Sequence, residues 1–444
     1  MEQEKHFFKT VCALAVPVAL QSMLQSSFSI VDQIMIGQLG SVSVAGVGFA
    51  GKFSSIFSVV VSAIGAVAGI MISQYMGQRN QQEIRRSFFL NLFLALGLGG
   101  LFTAVCLLFP RQIMGLYTQD HATMAAAASY LAIIAGTFLP IAGATMLSTM
   151  LRCMEKAALP LIASIAAALL NTGLNYILIF GKFGAPAMGA EGAAIATLLS
   201  QVVNFLVMLG LLLPHKGQLS RAGGAAAAFR WGQYAAMLLP VLICEVMWSL
   251  GENVYAGIYG HIGTQASAAM TLINPIQGLM TGALCGLSQA AGVLIGKQLG
   301  NGDYDGAYTA AKKLVWYGFA ASACLSLVIV LTRGYYVEIY QVEEAVKEMT
   351  EKILLSYALV APFKVLNMIM SGGVLRSGGK TEYVMVIDLV GTWGFGVPLG
   401  LFAAFACHLP IQYVYFILSL EECVRFAISV AVFRRRKWMQ SLRA

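Results

Sequence analysis

Long apolar runs, separated by short polar breaks, recur along the whole chain. Twelve windows stand out, at about 11–36, 44–76, 88–110, 124–147, 158–181, 190–213, 233–258, 265–297, 314–332, 353–375, 384–407 and 411–433. A helix needs about 20 predominantly apolar residues to cross the hydrocarbon core, and each window reaches that scale. The pattern predicts an all-α polytopic membrane protein with twelve transmembrane helices. The opening MEQEKHFFKT is polar and leads straight into a full-length span. It lacks the short apolar core and small-residue cleavage site of a signal peptide, so the first helix is expected to be retained.

The chain also matches itself. At a shift of 223 residues Pro17 falls on Pro240, Gly37 on Gly260, Gly40 on Gly263, Gly69 on Gly292 and Gly77 on Gly300. A looser pair, MLRCMEKA (Met150 to Ala157) and VLRSGGKT (Val374 to Thr381), matches at 224. Two six-helix lobes follow, 1–213 and 233–433, joined by a linker at 214–232 and followed by a basic tail at 434–444. Six is even, so both copies start on the same side of the membrane. They are parallel repeats related by a pseudo-twofold axis along the membrane normal, and transporters built this way place sites between or inside the halves. Gly65-x-x-x-Gly69 and Gly282-x-x-x-Gly286 read as close-packing faces.

Composition agrees with a lipid solvent. The chain is 58% hydrophobic and 11% charged, against roughly a quarter charged in soluble domains, and its mean hydropathy is +0.76. The net charge of +8 is a topology signal and gives no reason to expect nucleic acid. With the N-terminus placed inside, twenty of the twenty-eight Lys and Arg fall on inside segments and five on outside ones. Lys52, Lys364 and Arg425 lie within spans. This bias predicts a multi-pass cell-membrane protein with both termini cytoplasmic.

Polar residues inside the spans are the candidate chemistry. Gln21, Gln25, Ser29 and Asp32 fall on one stripe of the first helix at 100° per residue. Asn171 and Asn175, four apart, share a face of the fifth. Gln201 and Asn204 add a polar face to the sixth. These three faces are expected to converge, either around a functional cavity or as hydrogen bonds that merely tie helices together. Asp32 breaks the repeat, because its partner at 223 is Tyr255. A carboxylate in the bilayer is costly and normally marks an ion or substrate path. Pro17, in the same helix, is a candidate hinge, since proline removes a backbone hydrogen bond. In the second half Glu245 and Glu252 are seven apart on the seventh helix. Lys364 and Asn367 lie on the tenth, and Asp388 opens the eleventh. Glu421 and Glu422 are placed to pair with Arg425 on the twelfth.

Other chemistries find no support. None of the eight cysteines forms a C-x-x-C pair, and they read as small apolar residues. The five histidines lie at span edges or in loops, without H-E-x-x-H. No phosphate-binding G-x-x-x-x-G-K-[ST] occurs. A membrane enzyme should cluster His, Cys or Asp at the surface, and no such motif is visible. No cofactor, obligatory protein partner or metal is called for, apart from Na⁺ as a coupling ion at Asp32.

With these features assembled, the chain resembles the multidrug and toxic compound extrusion (MATE) family of secondary transporters, in its bacterial branches. The resemblance spans nearly the whole chain. It is carried by P-x14-D-x-x-x-x-G-x-x-G from Pro17 to Gly40, by ALPLIASIAAALLNTGLNYILIFG and PAMGAEGAAIATLLSQ, and in the second half by GTQASAAM, GVLIGKQLGNGD, LRSGGKT and WGFGVPLG. It implies two six-helix lobes, alternating access, and export of small cationic, amphipathic organic compounds in exchange for H⁺ or Na⁺. It also implies that Asp32 is a coupling-ion site with Asn171 as a polar ligand, and that the helix bends at Pro17. Asn175 falls where some members carry a second aspartate. That argues against a Na⁺ site of the acidic-pair type and leaves room for Na⁺ held by neutral oxygens. The tenth helix, FKVLNMIMSGGVLR, lacks the acid that other members use there, which leaves Glu245 as the second-half candidate. The competing reading is a flippase for lipid-linked oligosaccharide or related polyisoprenoid cargo. Its anionic cargo would call for several cations lining the path, and fourteen helices in place of twelve.

Overall fold

The apolar windows become helices because a span satisfies its backbone polar groups internally, which lipid does not do for it. The computed structural model describes residues 2–215, 230–340 and 342–442; most of the linker, with Lys216 and Arg221, and Arg443 of the tail lie outside the described residues. Among the described residues every regular element is helical. The first half holds α1 (Glu2–Gly37), α2 (Ser41–Gly77), α3 (Gln81–Leu108), α4 (His121–Cys153, with a 3₁₀ turn at Ala135–Thr137), α5 (Ala158–Phe180) and α6 (Gly189–Leu212). The second holds α7 (Trp231–Ile262), α8 (Thr264–Gly300), α9 (Tyr304–Glu338), α10 (Glu344–Gly378), α11 (Thr381–Ala406) and α12, which is Ile411–Ser419 followed by Glu421–Arg434.

Eleven of the described helices are long and apolar enough to cross a membrane unbroken. The window at 411–433 was expected to be a twelfth continuous helix, and here the structure differs. It is divided at Leu420, where Leu420 N–H donates to Ile417 O at 3.2 Å and Cys423 N–H to Leu420 O at 3.0 Å, tightening the turn to i→i+3 spacing. Both pieces belong to the same sequence window. A second departure lies in α10 and α11, which widen into π-helix at Met368–Leu375, Val390–Gly396 and Phe402–Ala406. Such widenings are uncommon and gather at functional sites. α1 runs as helix through Pro17, and α7 through its repeat partner Pro240.

The helices form two compact units. One is built from α7–α12 and also takes α1 through Ala19 and Ser73–Arg79 at the end of α2. The other holds Leu20–Ile72 and the helices from Asn80 through α6. Glycine explains how the end of α2 joins the first of these. A methyl group on Gly77 would fall 2.0 Å from the Lys297 carbonyl oxygen, and one on Gly300 would fall 1.9 Å from the Gln74 carbonyl oxygen. Gly77 and Gly300 are repeat partners, as are Gln74 and Lys297, so α2 and α8 meet backbone to backbone in a reciprocal contact.

The repeat persists in the turns, in backbone torsion even where the residue has changed. Gly40 and Gly263, which close the first loop of each half, both have positive φ (93° and 150°). Arg79 has φ 56° where its partner Gly302 has 78°, and Glu155 has φ 60° where Gly379 has 74°. A left-handed conformation costs an ordinary L-residue roughly 1–2 kcal/mol, while glycine loses about 0.5–1 kcal/mol in chain entropy. Arg79→Gly is therefore expected to raise stability by about 0.5–1 kcal/mol, read as an upward shift of the melting temperature in detergent.

Candidate functional site

In the unit built from the first half, α1, α5 and α6 enclose a cavity of about 280 Å³. Gln25, Ser29 and Asp32 line it from α1, Ser164 and Asn171 from α5, and Thr197, Ser200, Gln201 and Asn204 from α6. The three polar faces read from the sequence thus meet at one place. Gln21 lies just off the cavity, where it is buried and donates to Ser164 Oγ at 2.7 Å.

Asp32 is the one acid among these residues. Asn175 Nδ2 donates to its Oδ1 at 2.5 Å and also to Asn171 Oδ1 at 3.2 Å. The Asn171 amide sits between two sets of partners. One end lies 3.0 and 3.3 Å from the two Asp32 oxygens, and the other lies 3.3 Å from Thr197 Oγ1 and 3.5 Å from Ser200 Oγ. With its nitrogen turned toward Asp32, Asn171 donates to an ionised carboxylate. Among the described residues Asn175 Oδ1 is buried and has no partner, which is the kind of oxygen a hard monovalent cation takes up in place of hydration water. Ser164, Thr197 and Ser200 are the members that sequence reasoning missed. Single hydroxyls are frequent in membrane helices, and only the three-residue spacing of Thr197 and Ser200 offered a signal.

The other unit has its own cavity, of about 330 Å³. Tyr255, Tyr259, Tyr357 and Tyr415 line it, with Glu252, Lys364, Glu421 and Glu422. Glu245 is not among these residues. It pairs instead with Arg376, at 3.8 Å, so of the two acids of α7 only Glu252 faces this cavity. The expected grouping of Glu421 and Glu422 with Arg425 also divides. Glu422 meets Arg425 at 3.5 Å and accepts from Asn367 Nδ2 at 2.8 Å, and Asp388 pairs with Arg425 from α11. Glu421 instead accepts from Tyr255 Oη. Tyr255 is the repeat partner of Asp32, so the second half keeps a polar contact at that helix position and carries its acid on α12. The π-helical stretch of α11 makes room: a methyl group on Gly391 would meet Arg425, and one on Gly396 would meet both Glu421 and Tyr255. Among the described residues no group of three or more His, Cys, Asp or Glu is placed to hold a metal ion.

A bundle of apolar helices with polar, partly charged cavities inside it is the frame of a membrane transporter, and the comparisons with known proteins agree. The family model MatE matches twice, over residues 17–177 and 240–402, each match beginning at a repeat-related proline. The chain belongs to the MatE family. It is 23% identical to "Probable multidrug resistance protein NorM" of Thermotoga maritima, over 98% of this chain and 94% of that one. It is 22% identical to "Uncharacterized transporter YisQ" of Bacillus subtilis, over 96% and 94%. Among solved structures it shares its fold with a MATE protein crystallised in complex with MaL6 (TM-score 0.88, 18% identity, 96% of each chain). The same holds for the Vibrio cholerae MATE transporter VcmN (TM-score 0.89, 17% identity, 99% of this chain and all of that one).

Proposed function

We propose that this transporter exports small cationic, amphipathic organic compounds by alternating access, in exchange for H⁺ or Na⁺ bound at Asp32. The observation that carries the reading is the single carboxylate facing the cavity of α1, α5 and α6, held by Asn175 and lying beside the Asn171 amide. Either ion fits this arrangement. A proton would neutralise Asp32 directly. Sodium would draw on Asp32, Asn171 and Asn175, with Thr197 and Ser200 supplying further neutral oxygens. The donor set is oxygen-rich with one formal charge, which suits a monovalent hard cation over a divalent one. Gln25, Ser29, Gln201 and Asn204 line the same cavity and would keep it wet. In the other unit, four tyrosines beside Glu252 and Glu421 form an environment for an organic cation, since cations favour aromatic faces. Pro17 would serve as a bending point of α1.

Both termini are proposed to be cytoplasmic. The Lys and Arg bias supports this, and so do two ion pairs at the start of α9, Glu4 with Lys313 and Asp305 with Arg436, which bring both ends of the chain to the same end of that helix.

Purified protein in liposomes, loaded with a fluorescent organic cation, tests the reading. A pH gradient and a Na⁺ gradient are imposed separately. One of them is expected to drive efflux well above the undriven leak, and that gradient names the ion. Efflux that ignores both gradients would overturn ion-coupled export.

A further inference from the structure

The end of the chain is held more firmly than a solvated tail requires. Trp438 is fully buried. Its ring stacks on Phe433, with centroids 5.7 Å apart, and its Nε1 donates to the Phe433 carbonyl at 3.2 Å. Gly378, the last residue of α10, is pressed so closely to it that a methyl group there would lie 1.8 Å from the Trp438 carbonyl oxygen. Leu442 is also buried and lies against Gly379. Between these anchors the tail bonds to the last turn of α2. Leu442 N–H donates to Gln74 Oε1 at 2.7 Å, and Gln74 Nε2 donates to Gln440 O at 3.2 Å. Gln78 Nε2 donates to Leu442 O at 2.6 Å and to Ser441 Oγ at 3.1 Å. Gln74 Nε2 also donates to Ser377 O at 2.6 Å, so the same side chain ties the last turn of α10 into the cluster.

That turn of α2 has a particular place in the fold. α2 passes from one compact unit into the other at Ile72–Ser73. The piece that crosses makes the reciprocal glycine contact with α8, and Ser73 within it is fully buried against Gly296. A carrier that works by alternating access must part packed helices in one of its states.

We propose that Trp438–Leu442 is a latch that clasps the last turn of α2 and holds it against α8. Its release frees that turn of α2 from α8. The proposal rests on transport by alternating access, but its test needs neither substrate nor ion gradient, so the two can fail separately.

The test places a thiol inside the α2–α8 contact by Ser73→Cys and follows its reaction with a membrane-impermeant maleimide, by peptide-resolved mass spectrometry. Two release variants are compared with the full-length chain. One is Gln74→Ala with Gln78→Ala, which removes the hydrogen bonds and keeps Trp438. The other ends the chain after Lys437. Loss of several bonds worth about 1 kcal/mol each is expected to speed labelling at position 73 by about tenfold or more in both. The buried native Cys106 and Cys153, in the other unit, are expected to stay unreactive. Labelling within about twofold of the full-length chain in both variants would overturn the latch. So would a parallel rise at Cys106 and Cys153, because that reports general loosening.

Discussion

Asp32→Asn is expected to abolish gradient-driven export and leave a folded protein. The amide has nearly the shape of the carboxylate and can still meet Asn171 and Asn175, so the packing of α1 against α5 survives. What it cannot do is change charge. It takes up no proton at any physiological pH, and it offers Na⁺ one neutral oxygen in place of a formal negative charge. Removing one partner of a desolvated charge pair costs about 2–5 kcal/mol, which is roughly thirtyfold to several thousandfold in ion affinity. Driven efflux in liposomes should therefore fall to the undriven leak, while elution on size-exclusion chromatography and thermal melting stay near those of the parent. Normal driven efflux from this variant would remove Asp32 from the coupling role and move attention to Glu252 and Glu421, in the cavity of the other unit.

Arg425→Ala is expected to give the largest loss of stability. Its guanidinium joins α12 to α11 through Asp388 and sits beside Glu422, which Asn367 holds from α10. All three charged side chains are largely shielded from water. Truncating the cation leaves two carboxylates without a counter-charge, and breaking a buried pair on one side costs about 3–5 kcal/mol. The variant should melt well below the parent in detergent. The change combining Arg425→Met, Asp388→Asn and Glu422→Gln removes the charges together and should recover most of that loss, because a pair replaced whole by neutral groups of similar size is often close to neutral in energy. If the single and triple variants melt alike, the cost lies in packing, and the ion cluster is incidental to it.

Much of this architecture was legible in the sequence, and the reason is the solvent. Lipid forces each crossing to be a long apolar run, so the windows needed little more than length and hydropathy. The repeat added detail that survives in three dimensions, with Gly77 and Gly300 in reciprocal contact and Gly40 and Gly263 with positive φ. The convergence of α1, α5 and α6 followed from stripes at helical spacing, since polar faces in a membrane must find protein or water. What could not be read depends on tertiary approach. The π-helical stretch at Val390–Gly396 lies where glycines let Arg425, Glu421 and Tyr255 press against the backbone, and no local pattern announces it. Glu245 and Glu252 share a helical face, but seven residues is about 10 Å of rise, enough to put one on Arg376 and the other on the tyrosine-lined cavity. The basic run at the C-terminus reads as a solvated tail, and only Trp438 within it hints at an anchor.

The exchange at the Asp32 position bears on how such a molecule could have come about. A duplicated six-helix unit starts with two identical sites, and each copy is then free to change while the other maintains the original task. Here the backbone turns kept their torsions, and the chemistry moved. One copy holds its acid on its first helix beside two asparagines. The other holds a tyrosine at that place and an acid on its last helix, Glu421, which accepts from that same tyrosine. The two halves thus differ in where each carries its acid, while their turns still share a backbone.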